Sequence, residues 1–254
     1  MQLDDKTAIV TGGASGLGGA TAAALVEGGC SVTILDIDQE KGAAHAAALG
    51  DRARYVRTDV TDEASVTAAI SSVLETEGAL HICVNCAGIG PPAKTVGRDG
   101  PHPLGLFEKV VRINLIGTFN VARLAAHAMQ SNDPDNGERG VIINTASVAA
   151  FEGQIGQVAY AASKGGIVGM TIPMARDLAR DGIRVNTIAP GIFDTPLLAG
   201  LPDNVREALG QMVLNPQRLG QPAEFARLAV FLIESPYLNA ETVRIDGGIR
   251  MQPR

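Results

Sequence analysis

The stretch T-A-I-V-T-G-G-A-S-G-L-G-G, Thr7 to Gly19, passes from a β-branched apolar strand through a glycine-rich turn into an alanine-rich helix. Such a turn lets the backbone approach a pyrophosphate, and the helix start behind it offers free N–H groups and the positive end of the helix dipole. The spaced glycines are Gly12, Gly16 and Gly18. Their spacing is G-x-x-x-G-x-G rather than G-x-G-x-x-G. Taken alone, the segment is either a phosphate cradle that includes Ser15 and Leu17 or a tight structural turn.

Outward from this turn, short apolar runs alternate with helical stretches. Strands are predicted at 7–11, 31–36, 54–57, 82–85, 141–145, 183–188 and 242–245. Helices are predicted at 16–27, 39–49, 62–77, 106–130, 158–180, 205–212 and 222–234. The alternation implies right-handed βαβ crossovers and a parallel sheet. The expected fold is α/β, a Rossmann-like doubly wound parallel sheet of about seven strands with helices on both faces. With no linker or composition break, residues 1–254 read as one domain. Two irregular segments, 86–103 and 190–213, follow strands and are predicted to border the ligand crevice beyond the strands' carboxyl ends.

Composition narrows the function classes. The 254 residues are 46% hydrophobic, enough for one sizeable core, and the net charge of −6 argues against nucleic acid or an anionic membrane as partner. No apolar run approaches ~18 residues, so no membrane span is expected. The opening M-Q-L-D-D-K lacks the basic and apolar regions of a secretory signal. Three cysteines do not read as a disulfide framework. Together these features lead us to expect a reducing, cytoplasmic setting. Cys83 and Cys86 form one C-x-x-C without a second pair or a histidine cluster, and His45, His81, His102 and His127 are scattered, so no metal is expected.

Several residues carry chemistry. Asp36 ends the second strand about 20 residues after the turn, where a carboxylate suits the ribose hydroxyls of NAD and repels the extra phosphate of NADP. The alternative is a solvated strand-end aspartate. Asp59 and Val60 follow the third strand; Asp59 either reaches an adenine or helps begin a helix that Thr61 is expected to cap. Asn85, Ala87 and Gly88 are placed to keep backbone close to a ligand. Asn114, inside an apolar helical stretch, needs a partner. Thr195 is suited either to bonding a carboxamide or to capping the helix after it. The segment S-V-A-A-F-E-G-Q-I-G-Q-V-A-Y-A-A-S-K presents a hydroxyl at Ser147, a phenol at Tyr160 and an ammonium at Lys164. Tyr160 and Lys164 are four apart, so on a helix they share a face. The cation is expected to lower the phenol's pKa and make it a general acid/base. No G-x-S-x-G elbow is present, which argues against a serine hydrolase. Asp246-Gly247-Gly248 is a turn signal, and the apolar tail after it is expected to pack on another subunit.

In this order the motifs resemble the short-chain dehydrogenase/reductase family. Thr11, Gly12, Gly16 and Gly18, then Asn85-x-Ala87-Gly88, Asn114, Ser147, the Tyr160-x-x-x-Lys164 pair and Pro190-Gly191 all match, and the likeness runs on to Asp246-Gly247-Gly248. Cys86 departs from the family's usual second asparagine. Within the family the chain is similar to the type II 3-hydroxyacyl-CoA dehydrogenases, whose animal members also act on hydroxysteroids. That likeness lies in 140–202, in R-L-G-Q-P-A-E-F-A and in I-D-G-G-I-R-M-Q-P.

The resemblance implies that Tyr160 exchanges a proton with the substrate oxygen. Lys164 would tune Tyr160 and hold the nicotinamide ribose, Ser147 would orient the carbonyl, and Asn114 would hold a water that links Lys164 to solvent. Pro190, Gly191 and Thr195 join the cofactor contacts. The implied activity is reversible, NAD-dependent oxidation of 3-hydroxyacyl-CoA to 3-ketoacyl-CoA in fatty acid metabolism, by a homotetramer. Alternatives are a hydroxysteroid or other secondary-alcohol dehydrogenase, a 3-oxoacyl-ACP reductase (which Asp36 disfavours) and a silent NAD-binding sensor. On the substrate side, Phe151-Glu152-Gly153-Gln154 is expected to line the site, with Gln154 in contact, and Lys94 and Arg98 are expected to meet the anionic CoA.

Overall fold

In the computed structural model, which describes residues 1–199 and 202–253, the seven expected strands form one parallel sheet. They are β1 (Thr7–Thr11), β2 (Ser31–Asp36), β3 (Ala53–Arg57), β4 (Ile82–Asn85), β5 (Gly140–Thr145), β6 (Ile183–Pro190) and β7 (Thr242–Ile245). Their spatial order is β3-β2-β1-β4-β5-β6-β7. Because β1 pairs with both β2 and β4, successive crossovers leave it in opposite directions. The crevice therefore opens beyond the carboxyl ends of β1 and β4. Gly200 and Leu201, inside the predicted 190–213 segment, and Arg254 lie outside the described residues.

The apolar runs are nearly continuous because helices cover both faces. With a side-chain period of two, Ile9, Leu35, Cys83 and Ile142 face one way. They pack with α3 (Glu63–Glu77) and α5 (Thr118–Met129) through Val66, Val73, Val121 and Met129. Val10, Ile34, Val84 and Ile143 face the other way, toward α1 (Gly16–Glu27) and α8 (Pro222–Glu234), where Leu25, Phe225 and Leu232 meet them. α2 (Gln39–Leu49) and α6 (Val158–Leu178) complete the two layers, and α7 (Asp203–Gln211) follows β6 in the 190–213 segment.

Several expectations are corrected. Asp62, not Thr61, caps α3: its Oδ1 accepts from Ala64 N, while the Thr61 hydroxyl donates to Asp59. The single helix expected at 106–130 is α4 (Leu104–Val111), a π-helical turn (Arg112–Gly117) and then α5. The π turn carries Asn114, whose bonds to Ile89 and Ser163 are tertiary and not visible in the local pattern. The 86–103 segment contains a small hairpin, Val96–Gly97 against Gly100–Pro101, whose strands are too short to show alternation. Besides these corrections, the tail makes contacts within its own chain: Ile249 is fully buried, Met251 N donates to Glu152, and Ile155 N donates to Pro253 O.

Candidate active site

The crevice is a cleft of about 390 Å³. Its floor is the glycine turn. Gly12 has φ +63°, and a Cβ there would stand 2.8 Å from Ala87 N; a Cβ on Gly18 would stand 2.3 Å from Gly12 O. Ser15 caps α1 through extended backbone without a side-chain bond, so the first-turn N–H groups are left for a ligand. Asp36 lines the cleft at the end of β2, its carboxylate fixed by Ala14 N at 3.1 Å and Asp38 N at 3.0 Å. Its remaining lone pairs are available to a diol. Ser15, Gly16, Leu17, Asp59, Val60, Ala87, Gly88, Pro190 and Thr195 also line the cleft.

Asn85 and Gly191 do not. Asn85 is buried behind the wall, donating to Asn144 Oδ1 at 3.0 Å and accepting from Thr11 Oγ1. Gly191 supports the wall by donating to Ile245 O. Thr11, to which the sequence analysis gave no role of its own, is the post that holds this side together: its hydroxyl oxygen accepts from Cys86 N and Ala87 N. Thr145, Ala146 and Ile113 were also missed as lining residues; the signal for the first two was their place at the carboxyl end of a strand.

Ser147 follows β5, and Tyr160 and Lys164 sit in the first turns of α6, so strand end and helix start converge. The Ser147 hydroxyl oxygen accepts from Ala149 N at 3.1 Å and its O–H bonds the Tyr160 oxygen. Lys164 is buried; its Nζ donates to Thr145 O at 2.6 Å and lies 5.8 Å from the Tyr160 ring centroid. Burial pushes the Lys164 ammonium down to about 8. Burial also pushes the Tyr160 phenol above its ordinary value, and the Ser147 hydrogen bond pulls it partway back. The lowering of Tyr160 expected from Lys164 is not seen: burial sets the direction, and the opposing influence comes from Ser147.

Asn114 lies in the π turn, fully buried. It accepts from Ile89 N and donates to Ile89 O, both at 2.8 Å, and donates to Ser163 Oγ at 3.0 Å. Both amide hydrogens are used, so the side chain clamps the loop after β4 to α6 beside Lys164 and has no N–H left for a water. Cys83 and Cys86 are free, and burial pushes their thiols up to about 12 and about 11. Gln154, expected to touch substrate, instead donates to Gln252 O at 3.0 Å. Lys94 shares a separate shallow groove with Gln154 and Val96, and Arg98 is exposed at the hairpin tip. Among the described residues no group of His, Cys, Asp or Glu is placed to hold a metal, and no helix is long and apolar enough to cross a membrane.

A fixed glycine turn, an anchored strand-end carboxylate and a Tyr-Lys pair in one cleft, with Ser147 bonded to the tyrosine, define a class, and the family model for short chain dehydrogenases matches residues 6–206. The chain belongs to that family and is a dehydrogenase that works with a nicotinamide cofactor. Among proteins it is similar to, 3-hydroxyacyl-CoA dehydrogenase type-2 of Bos taurus is 55% identical over 249 residues, 97% of this chain and 95% of that one. The Drosophila melanogaster protein of the same name is 50% identical over 254 residues, 99% of this chain and 100% of that one. The crystal structure of 3-hydroxyacyl-CoA dehydrogenase type-2 from Mycobacterium avium superposes with a TM-score of 0.94 at 46% identity, covering 98% of each chain.

Proposed function

We propose that this protein is an NAD-dependent 3-hydroxyacyl-CoA dehydrogenase that interconverts 3-hydroxyacyl-CoA and 3-ketoacyl-CoA. The observation that carries the reading is that Tyr160 and Lys164 line the same cleft as the glycine turn and Asp36, with Ser147 hydrogen-bonded to Tyr160 just outside its lining. The cleft fits a dinucleotide: the turn has no room for side chains, the helix start is free, and Asp36 opposes a 2′-phosphate.

Bound NAD supplies the hydride acceptor. The Gly12–Gly18 turn would hold its pyrophosphate, Asp36 its adenosine ribose, and Lys164, with two N–H donors beyond its bond to Thr145 O, the nicotinamide ribose. Ser147 donates to the substrate oxygen or to Tyr160. Tyr160 gives its proton to a ketone oxygen in reduction and takes one from the hydroxyl in oxidation. The raised pKa keeps Tyr160 protonated near pH 7, so the ligand-free site is set for reduction. Lys164, at about 8, is the group in this pair that titrates nearest neutrality.

The test is product analysis over a panel of 3-hydroxyacyl-CoA chain lengths, free secondary alcohols and hydroxysteroids with NAD. The proposal expects 3-ketoacyl-CoA as the preferred product; turnover confined to steroids or free alcohols would replace it. We also infer a cytoplasmic homotetramer active in fatty acid metabolism. Three free cysteines support a reducing compartment. Exposed Phe119 on α5, Ile172 on α6 and Phe231 on α8 support burial between copies. Light scattering tests the assembly: a monomeric mass contradicts it.

A further inference from the structure

The Asp246-Gly247-Gly248 turn and the tail after it form a junction among three segments on the substrate side. Gly247 O accepts from Asn215 N at 3.0 Å, just beyond α7. Gly191, after β6, packs so close to Asp246 that a Cβ on it would stand 2.8 Å from the Asp246 Cβ. The third segment is the loop between Ser147 and Tyr160. There the Glu152 carboxylate accepts from Arg244 at 2.9 Å and from Met251 N at 3.0 Å, and Arg250 lies 3.5 Å away. Arg244 and Arg250 both pair with Asp246, at 2.8 and 3.2 Å, and the Arg244 guanidinium lies 5.5 Å from the Phe151 ring centroid. Two further bonds extend the docking: Gln154 Nε2 to Gln252 O, and Ile155 N to Pro253 O at 3.2 Å.

The docked loop is short and bracketed by reacting groups. It leaves Ser147 through one 3₁₀ turn (Val148–Ala150) and enters α6 two residues before Tyr160. Its inner side is held by a single backbone bond to the loop after β4, Ala93 N to Gly156 O at 2.8 Å. The tail holds its outer side. Residues 249–253 are fastened by a charge network in which Glu152 is a shared acceptor.

We propose that the tail is a positioning strap for the substrate half of the site, with Glu152 as its positioning residue: docking of residues 249–253 sets the Phe151–Gly156 loop and so the width of the acyl-substrate entry beside Ser147 and Tyr160. This rests on the acyl-CoA reading for the identity of the substrate only. Among the described residues the strap's hydrogen bonds to the rest of the chain go to Glu152, Gln154, Ile155, Arg244 and Asp246, none of which lines the dinucleotide cleft.

The test compares full-length wild type, Glu152→Gln, Arg250→Ala and the double variant in acetoacetyl-CoA reduction, with NADH affinity and amide exchange measured separately. The strap predicts that Glu152→Gln raises KM about tenfold with kcat changed less than about threefold. NADH affinity stays within about twofold, and Met251 and Ile155 amides exchange faster. Arg250→Ala gives a smaller rise, and the double variant is no worse than Glu152→Gln because both break one network. An unchanged KM overturns the proposal whatever the exchange shows, and so does an equal loss of NADH affinity. If Glu152→Gln does not fold, Arg250→Ala is judged by the same criteria. Should wild type turn over no acyl-CoA, the substrate reading fails alone, and the strap is judged on the best secondary alcohol of the panel.

Discussion

Tyr160 and Lys164 are partners whose spacing was plain but whose electrostatics were not. A Y-x-x-x-K spacing fixes a shared helix face, yet whether a neighbour's charge or burial rules a phenol depends on how much water the fold excludes. Here burial wins for both groups, raising one and lowering the other. Tyr160→Phe keeps the ring and removes the proton. Its kcat is expected to fall by about 10²- to 10⁴-fold with NADH affinity kept. Stopped-flow kinetics together with fluorescence titration would check this, and a variant with full turnover would move the acid/base role elsewhere. Gln154 has a partner that the sequence did not suggest. It stands in a substrate-like stretch, but its amide bonds a carbonyl 98 positions away, a pairing no local pattern encodes.

At the scale of elements, the strand ends were the most legible feature. β1, β2, β4 and β7 begin and end where they were predicted; β1 and β4 are buried along their whole length, as parallel strands covered on both faces are, whereas β7 is a half-buried edge strand. The π turn at Arg112–Gly117 was hidden because its cause is tertiary: Asn114 reaches across to Ile89 and Ser163. The glycine turn carries a sharper prediction. A Cβ on Gly18 would stand 2.3 Å from Gly12 O, a backbone atom that moves only with the whole turn. Gly18→Ala is therefore expected to weaken NADH binding more than tenfold (above ~1.4 kcal/mol) while far-UV circular dichroism stays native. Calorimetric titration decides it, and unchanged affinity would mean that the turn does not hold the pyrophosphate.

For the whole molecule, the parallel sheet and the position of the crevice followed from βαβ alternation, whereas the spatial order of the strands and the tail's docking, with its meeting of Glu152, Arg244 and Asp246, required the three-dimensional structure. The buried titrating groups give stability a pH signature. Lys164 is held at about 8, below its ordinary 10.5, so between those values the unfolded chain binds a proton that the folded one lacks, and stability rises with pH. The thiols act oppositely. Cys30 and Cys83, raised to about 12, and Cys86, raised to about 11, keep protons that the unfolded chain loses above pH 9, so stability falls there. Comparison with Lys164→Met isolates the lysine. Relative to that variant, the ligand-free wild type should gain roughly 2 kcal/mol in urea unfolding between pH 8 and pH 10. A constant difference across that range would contradict the buried-cation account.

The central claim is that the cleft pairs NAD with an acyl-CoA substrate through Asp36 and Tyr160. The most direct measurement is kcat/KM for acetoacetyl-CoA reduction with NADH and with NADPH, in wild type and in Asp36→Ala. The account predicts a preference for NADH of at least about a hundredfold in wild type, collapsing toward parity in Asp36→Ala as the repulsion of the 2′-phosphate is removed. Equal use of the two cofactors by wild type, or no reduction of acetoacetyl-CoA with either, would contradict it.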